Sequence, residues 1–495
     1  MQKLNTIPWF LFLLVVFFIV HGAVENFEFL YFGQVIKIGL TILGFVALFF
    51  LIIRIFIKDT IHAALICFFI SGWLLFFGAA FDWVRSIRFL RFFHSFTVFI
   101  PFMLCTFILF IVLIRKRKPL QTKLCFYLNV LLLIYCLYDS AVLIIKASGT
   151  NKQVAISTVK IDTSLVKAKP NVYLLLFDEY PGYKSLKDSF AFANDSLYRF
   201  LEYRSFKFQP TFSNYNMTFY SMASMLNMRY VEKNYDPAQN TVADEQRRLL
   251  EIKNAQAVQC FKQMGYVFKN YSIFDILDEP GVKGNSFVIS QATLLTDKIF
   301  FNKLIKAIGW HFITGKNRIS FIEDIYMKDR RNNAFMEDEL MKMKATAGAP
   351  PQFVYAHFNM PHFPFFFDSL GRTQTNAQIF NESLYSDKAV FLSYLKYVNK
   401  KMEDIVNSIC SNDTSAIVIV MSDHGFRSYN NGGVYSPLYF NNICAVRFPD
   451  SNYLPVKEAW SNVNIFPYLF NCQFHQKIPY LADSSIFLKD KKIEE

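Results

Sequence analysis

The first 146 residues contain five stretches that are apolar enough to cross a membrane. Each approaches the roughly 20 apolar residues that a membrane-spanning helix needs. The five stretches lie at about 7–24, 36–57, 61–81, 95–114 and 124–145. No small-residue cleavage site follows the first stretch, so we interpret it as a retained helix and not as a signal peptide. We therefore predict a transmembrane domain of about five helices over residues 1–146.

The formal positive charge of the chain is concentrated in this apolar region. The first 146 residues hold 13 Lys and Arg against 5 Asp and Glu, whereas the remainder holds 39 against 34. Outside the apolar region, no run of Lys and Arg forms a stripe of the kind that binds nucleic acid. We therefore expect the charges to set membrane topology and expect no nucleic-acid partner.

The basic loops also predict an orientation, because short loops rich in Lys and Arg tend to face the cytoplasm. Lys3, the turn with Arg54 and Lys58, and the basic loop at 115–118 fall on the same side of the predicted spans. This places the N-terminus in the cytoplasm and, after five spans, the rest of the chain outside it. The arginines at 85–91 oppose this assignment. Either they contact anionic headgroups or a helix boundary is misplaced. The predicted location is a bacterial plasma membrane.

The remaining chain has the pattern of an α/β domain. Residues 147–169 are polar and irregular and predict a linker, and the domain is expected over 170–485. Short apolar runs of this length predict strands that are covered on both faces, as in a mostly parallel sheet. Three such runs lie at 171–177, 353–358 and 416–421. Between them, segments such as 241–264 and 384–411 predict helices.

Acids and histidines follow each of these predicted strands. Asp178 and Glu179 follow the first, residues 359–362 the second, and Asp423 with His424 the third. Ligands of open parallel sheets bind at the carboxyl ends of the strands, where these side chains would meet. Two acids and an imidazole indicate a divalent metal site. Mixed oxygen and nitrogen ligands favour Zn or Mn over Ca, which prefers oxygen alone.

A hydroxyl-rich segment supplies candidate nucleophiles for such a site. SNYNMTFYSMASMLN, residues 213–227, begins about 35 residues after the first acid. A hydroxyl is a weak nucleophile until a base or a metal activates it. A cation would also offset the charge that develops on a transferring phosphoryl or sulfuryl group. At this level several hydroxyls of the segment remain possible.

Five sequence elements occur in an order that resembles the alkaline phosphatase/sulfatase superfamily. They are NVYLLLFDE (171–179), TFYSMASMLN (218–227), HFNMPHFPF (357–365), SDHG (422–425) and SNVNIFPYLF (461–470). Together with the five-span anchor they resemble the membrane phosphotransferases of this superfamily, such as lipoteichoic acid synthase and the phosphoethanolamine transferases. The resemblance covers most of the predicted α/β domain and implies the same fold.

The resemblance also implies a set of metal ligands. Asp178, Asp423 and His424 match metal-binding positions of the superfamily, and Glu179 matches the second acid of sulfatases, as a ligand or beside one. Thr218 falls at the position of the nucleophile, which also contacts the metal. The chain departs from the phosphotransferases at Asp178, where they have Glu.

Thr218 also implies which reaction to expect. Sulfatases use a Cys or Ser that is oxidised to formylglycine, within a segment containing Pro and Arg. Thr218 cannot form that group, and Met222 stands where the arginine would be. We therefore expect transfer or hydrolysis of a phospho-ester, on a membrane lipid or envelope glycan at the outer face of the membrane. His357 or His362 would bind phosphate oxygens or protonate the leaving group.

Two other functions stay open at this level. One is a sulfuric ester hydrolase, which is a sulfatase in the strict sense. The other is a catalytically inactive envelope scaffold, although the complete set of Asp178, Thr218, Asp423 and His424 argues against it. The donor and acceptor, and the choice between transfer and hydrolysis, are not fixed by these motifs.

The cysteines leave the redox state of the predicted outer domain open. Four of the eight lie in the apolar stretches, where they are ordinary apolar residues. The other four allow two disulfides in three possible pairings. They are Cys260, Cys410, Cys444 and Cys472.

Overall fold

The computed structural model divides the chain into two compact units. The helical unit comprises Met1–Ile156 and Gln291–Gly315, and the sheet unit comprises Ser157–Ser290 and Lys316–Glu495. The described residues are 6–30, 32–149, 159–231, 242–282, 294–309, 311–314, 319–346, 348–427, 435–456 and 459–489. Residues 150–158 of the predicted linker lie outside them.

Helices account for most of the regular structure in the described residues. In chain order they are α1 (Phe10–Glu25), α2 (Phe32–Phe56), α3 (Thr60–Ser86), α4 (Phe96–Ile114), α5 (Lys118–Gly149), α6 (Tyr183–Phe190), α7 (Asp195–Tyr203), α8 (Thr218–Asn227), α9 (Val242–Lys253), α10 (Gln256–Gln263), α11 (Phe300–Ile308), α12 (His311–Thr314), α13 (Ser320–Tyr326), α14 (Lys328–Lys342), α15 (Asn376–Ile379), α16 (Lys388–Asn412) and α17 (Ile465–Phe474). The strands are β1 (Val172–Phe177), β2 (Lys207–Phe208), β3 (Thr211–Phe212), β4 (Val267–Tyr271), β5 (Gln352–Phe358), β6 (Ile417–Met421), β7 (Cys444–Arg447) and β8 (Trp460–Ser461).

The helical unit contains the five predicted apolar helices, α1 to α5. Four of them, α2 to α5, are long and apolar enough to cross a membrane, whereas α1 has 16 residues. The prediction of an apolar helical anchor is therefore confirmed, and the number of five spans is approximate. The orientation in a membrane stays a prediction.

Polar contacts to α5 fix the short helix α1. Asn129 of α5 accepts a hydrogen bond from the Phe10 N–H at 2.7 Å and donates one to the Ile7 carbonyl oxygen at 2.9 Å. Near the other end of α1, His21 Nδ1 lies 3.1 Å from Asp139 Oδ2. The first N–H groups of a helix have no partner within the helix, so a side chain from α5 serves as the cap.

Residues 294–309, which belong to the segment grouped with the helical unit, pack against α3 although they follow part of the sheet unit in sequence. The Gly78 N–H donates to the Lys298 carbonyl oxygen at 2.7 Å, and Lys303 Nζ lies 3.3 Å from Asp82 Oδ1. A Cβ atom at Gly78 would approach the Lys298 backbone to 2.7 Å, so only glycine permits this contact. This segment falls within the predicted domain at 170–485, and no pattern in its sequence indicates the grouping with the helical unit.

The sheet unit is built on a mostly parallel six-stranded sheet in the order β2-β7-β6-β1-β5-β4. The four strands β6, β1, β5 and β4 run parallel, while β7 and β2 pair antiparallel at one side. All residues of β1 and β6 are buried, as expected for apolar strands covered on both faces. The predicted α/β fold and its three buried strands are confirmed. A separate pair, β3 and β8, runs parallel.

The register brings the carboxyl ends of three strands to one level. Phe177 at the end of β1 pairs with Phe358 of β5, and Leu176 pairs with Met421 of β6. The residues that follow these strands therefore start from the same edge of the sheet. The Asp178 N–H extends the β1–β5 pairing by donating to the Phe358 carbonyl oxygen at 3.0 Å.

The predicted helix at 241–264 consists of two helices, α9 and α10. At the break, a side chain from outside the segment caps the start of α10, since Asn227 Oδ1 accepts a hydrogen bond from the Gln256 N–H at 3.1 Å. The other predicted helix, 384–411, corresponds to α16. Asp387 begins this helix by accepting from the N–H groups of Ala389 and Val390.

All eight cysteines are free thiols. In the sheet unit Cys260, Cys410, Cys444 and Cys472 are all buried. Burial disfavours the thiolate and raises the pKa of Cys260 to about 11 and that of Cys444 to about 12. Of the alternatives that the sequence left open, the structure supports four separate thiols and no disulfide.

We predict that Cys260 and Cys444 resist alkylation in the native protein. At about pH 8, where a thiol in water is partly ionised, iodoacetamide should label them far more slowly than a small free thiol such as N-acetylcysteine in the same solution. Peptide mass spectrometry after timed labelling measures the rates, and unfolding in guanidinium should make all of them reactive. An intact mass lower by two hydrogens per disulfide would contradict the free-thiol state.

Candidate metal centre and nucleophile

Asp178, Asp423 and His424 form a compact, buried group at the carboxyl ends of β1 and β6. One ligand atom from each residue lies within 4.8 Å of the others. His424 Nε2 is 3.3 Å from Asp423 Oδ2 and 3.9 Å from Asp178 Oδ1. The structure therefore brings these three side chains together at one edge of the sheet, where the sequence pattern predicts them.

Two carboxylate oxygens of this group fit a bound cation. Asp178 Oδ1 and Asp423 Oδ2 are buried and have no hydrogen-bond partner among the described residues. A buried charged oxygen without a partner is costly, and a metal ion removes that cost. Together with an imidazole nitrogen, these oxygens form a donor set that suits Zn or Mn. The residues present therefore fit a divalent metal ion.

Neighbouring polar groups orient His424 and Asp423. His424 Nδ1 lies 2.8 Å from the Gly425 carbonyl oxygen, and a carbonyl can only accept, so in the neutral ring Nδ1 carries the proton and Nε2 has the lone pair. The Asp423 carboxylate accepts from the Glu179 N–H at 3.2 Å. The Asp423 carbonyl accepts from Ser221 Oγ at 2.5 Å. Such contacts fix ligand geometry before a metal binds.

Thr218 is the hydroxyl of the 213–227 segment that reaches this group. It is the first residue of α8, it is partly exposed, and its Oγ1 lies 3.2 Å from His424 Nε2. Ser221 lies one turn further along the same helix, and its hydroxyl is buried against the backbone of Asp423. The start of α8 also directs the partial positive charge of the helix toward this position.

The two predicted histidines occupy different environments. His357 on β5 is fully buried, with Nε2 3.6 Å from Asp178 Oδ2 and Nδ1 2.8 Å from the Tyr355 hydroxyl. His362 lies in the loop after β5, with Nε2 3.7 Å from Glu179 Oε2 and 3.5 Å from Arg427 Nη2. His357 therefore contacts Asp178, whereas His362 lies next to Glu179 and Arg427.

The histidines around Asp178 counteract the effect of its burial. Burial acts most strongly on its pKa and favours the neutral acid, but His362, His357 and His424, in their protonated form, together have the larger opposite effect. The pKa of Asp178 consequently lies well below its usual range. An ionised carboxylate at neutral pH is the form that binds a metal.

Glu179 is turned away from the Asp178 side chain and toward Arg427. Its backbone φ of +63° lies in the left-handed region, which is uncommon for a residue with a side chain. Its carboxylate accepts from the Arg427 N–H at 2.8 Å and from the Tyr385 hydroxyl at 3.2 Å. The role of Glu179 as a metal ligand stays a prediction.

Arg427 and Tyr385 belong to the cluster around Glu179, but the sequence motifs do not indicate them. Arg427 lies three residues after His424, and this proximity to SDHG was the one available signal. Tyr385 lies in an irregular segment before α16, and nothing in the sequence connects it with Glu179. Their contacts depend on the tertiary structure.

Comparison with known families gives one clear match. The family model described as Sulfatase matches residues 197–453, just over half of the chain. The matched range includes Thr218, His357, His362, Asp423 and His424 and begins after Asp178 and Glu179. No curated protein sequence matches the chain.

Solved structures with similarity to the chain include two phosphoethanolamine transferase domains and a hydrolase. The C-terminal periplasmic domain of EptC from Escherichia coli, in complex with Zn, has 9% identity and a TM-score of 0.38, covering 63% of this chain and 84% of that one. The corresponding domain of phosphoethanolamine transferase EptC from Campylobacter jejuni has 13% identity and a TM-score of 0.36, covering 65% and 95%. A phosphonate monoester hydrolase from Silicibacter pomeroyi has 13% identity and a TM-score of 0.37, covering 64% and 75%.

We predict that the full-length protein in detergent binds about one equivalent of Zn or Mn. The full chain is used because residues 294–309 group with the helical unit. Asp423→Asn should lose most of the metal, since a carboxamide is a far weaker ligand than a carboxylate. Asp368→Asn, which changes a carboxylate paired with Arg372 outside the site, is the matched control.

Elemental analysis of the purified variants measures the metal content. A melting temperature that rises when Zn or Mn is added to chelator-treated protein provides a second readout, because a ligand of the native state stabilises it. Protein that stays metal-free after both additions would contradict the site.

Proposed function

Because the chain belongs to the sulfatase family, we propose that it is a metal-dependent enzyme that transfers or hydrolyses phospho-esters through Thr218. The observation that carries this proposal is the 3.2 Å distance between Thr218 Oγ1 and His424 Nε2. This contact places a partly exposed hydroxyl beside the group formed by Asp178, Asp423 and His424. The proposal includes Zn or Mn as the metal ion.

Thr218 favours phosphoryl over sulfuryl chemistry. Strict sulfatases need an aldehyde, which arises from Cys or Ser at the nucleophile position. Threonine carries a methyl group on Cβ, so its oxidation would give a ketone and not the aldehyde. The free hydroxyl is then the reacting group, as in phosphotransferases with a Thr nucleophile.

The proposed reaction has two displacement steps. Thr218 Oγ1 forms a bond to phosphorus while the bond from phosphorus to the leaving alcohol breaks, and the hydroxyl proton ends on that alcohol. An acceptor hydroxyl or water then attacks phosphorus, releases Thr218 and gives it back a proton. A cation held by Asp178, Asp423 and His424 would supply positive charge that favours the alkoxide and offsets charge on the transferring group.

His362 is better placed than His357 to contact the substrate. The His357 side chain is fully buried on β5. His362 lies in the loop after β5 beside Arg427 and retains a small exposed fraction, so its imidazole can bind a phosphate oxygen or pass a proton by giving up its contact with the guanidinium. His357 is then best described as a support for Asp178.

The helical unit points to a substrate at the membrane. Its apolar helices mark a membrane-anchored protein. We propose that the sheet unit lies outside the cytoplasm, as the basic loops predict, and acts on a membrane lipid or an envelope glycan.

Thr218→Ala should reduce turnover by roughly a thousandfold or more, because the nucleophile is removed. Ser221→Ala should keep the greater part of the turnover. The Ser221 hydroxyl contacts the Asp423 carbonyl oxygen, and Asn462 Nδ2 lies 3.5 Å from the same oxygen and can still hold it. Release of diacylglycerol from a fluorescent phospholipid by the full-length protein in detergent measures turnover. The reverse ranking of the two variants would place the nucleophile at Ser221.

The chemistry of the intermediate can be tested independently. Mass spectrometry of the wild-type protein trapped with substrate should locate a phospho-adduct on Thr218, and the adduct should disappear in Thr218→Ala. Turnover of an aryl sulfate without such an adduct would instead support a sulfuric ester hydrolase. A protein that binds metal but has neither activity would support an envelope scaffold.

A further inference from the structure

We infer that Arg427, held in place by Glu179, binds the anionic oxygens of the phospho-ester beside Thr218. The inference rests on the proposed function and extends it, because it assigns a substrate-binding group and a different role for the second acid. Its basis is a set of contacts that join Arg427 to three parts of the sheet edge.

Arg427 is anchored to the segments that follow β1, precede α8 and follow β5. Its Nε lies 3.4 Å from Glu179 Oε1, and its Nη1 donates to the Asn216 carbonyl oxygen at 3.3 Å. Its Nη2 lies 3.5 Å from His362 Nε2. His362 Nδ1 faces the Phe363 carbonyl oxygen at 2.5 Å and so carries the ring proton, which leaves Nε2 to accept from the guanidinium.

These anchors attach the guanidinium to the segment that leads into Thr218. Asn216 lies two residues before Thr218, and Arg427 lies three residues after His424. A guanidinium has five N–H bonds in a planar fork. Among the described residues, three of the five have an acceptor, and the Arg427 side chain is 25% exposed. Within this described part of the chain, the other two N–H bonds have no acceptor and can bind phosphate oxygens, for which a guanidinium fork is well suited.

Glu179 has the contacts of a positioning residue. It is fully buried, and Oε1 accepts from the backbone N–H and from Nε of Arg427. The Tyr385 hydroxyl lies within 3.2 Å of Oε1 and 3.4 Å of Oε2. A buried carboxylate without a counter-charge would be unstable, so Glu179 and Arg427 depend on each other.

This arrangement gives the two adjacent acids separate tasks. Asp178 has a carboxylate oxygen without a hydrogen-bond partner among the described residues, as a metal ligand would. The Glu179 carboxylate already has donors from Arg427 and Tyr385. We therefore assign Glu179 to the arginine and not to the metal.

The test uses the full-length protein in detergent, with bis(p-nitrophenyl) phosphate as the substrate probe and inorganic phosphate as the binding probe. Arg427→Lys should raise KM and weaken phosphate binding by about 10- to 100-fold, the effect of losing a charge-assisted hydrogen bond. The decrease in kcat should be smaller. Arg372 is likewise paired with a carboxylate but lies outside the site, so Arg372→Lys should change neither KM nor phosphate binding.

Glu179→Gln should also raise KM, as Arg427→Lys does, while its metal content stays equal to that of the wild type. Tyr385→Phe removes one hydroxyl next to Glu179 and should raise KM by a few-fold. This milder change keeps the test valid if either charged-site variant fails to fold, which its melting temperature would show.

Two results would overturn the inference: loss of metal from a folded Glu179→Gln variant, or unchanged phosphate affinity in a folded Arg427→Lys variant. Failure of the proposed function looks different, since the wild type would then turn over no phospho-ester. Phosphate binding that still depends on Arg427 in such a protein would uphold the anion site alone.

Discussion

The parallel pairing of β1 with both β5 and β6 is the constraint on which the site depends. It places Asp178 and Asp423 at the same edge of the sheet although they are 245 residues apart in sequence. The three strands are buried, so the sheet edge is rigid and cannot spread to relieve the repulsion between two carboxylates. The surrounding structure must therefore compensate their charge.

Compensation is divided between two neighbouring clusters. Asp178 is surrounded by His357, His362 and His424, which together hold its pKa below the usual range despite burial. Glu179 has Arg427 as its counter-charge, and the left-handed backbone at Glu179 accompanies the divergence of the two side chains. Burial favours the neutral form of Arg427, but Glu179, Tyr385, Asp178 and Asp423 raise its pKa, so the guanidinium stays charged. One acid thus faces a candidate metal site and the next faces a cation of the protein.

The sequence predicts those features that depend on local pattern. Apolar runs identify β1, β5 and β6, and an acid or histidine after each strand indicates the edge where Asp178 and Asp423 meet. Features that depend on distant partners are not visible in this way. Asn227 caps α10 from outside the predicted helix at 241–264, and Arg427 meets Glu179 only after folding. The grouping of 291–315 with the helical unit likewise depends on close packing at Gly78.

The choice between Thr218 and Ser221 shows why geometry adds to the motif. Residues three apart on a helix share a face, so the pattern alone permits either hydroxyl to approach the sheet edge. At the start of α8 Thr218 has no preceding helical turn above it, and its hydroxyl is close to His424 Nε2. Ser221 is enclosed by that first turn, and its hydroxyl is bonded to the Asp423 backbone. The position at the helix start therefore combines access for a substrate with the partial positive charge of the helix, and Ser221 can contribute to the same site only by holding Asp423 in place.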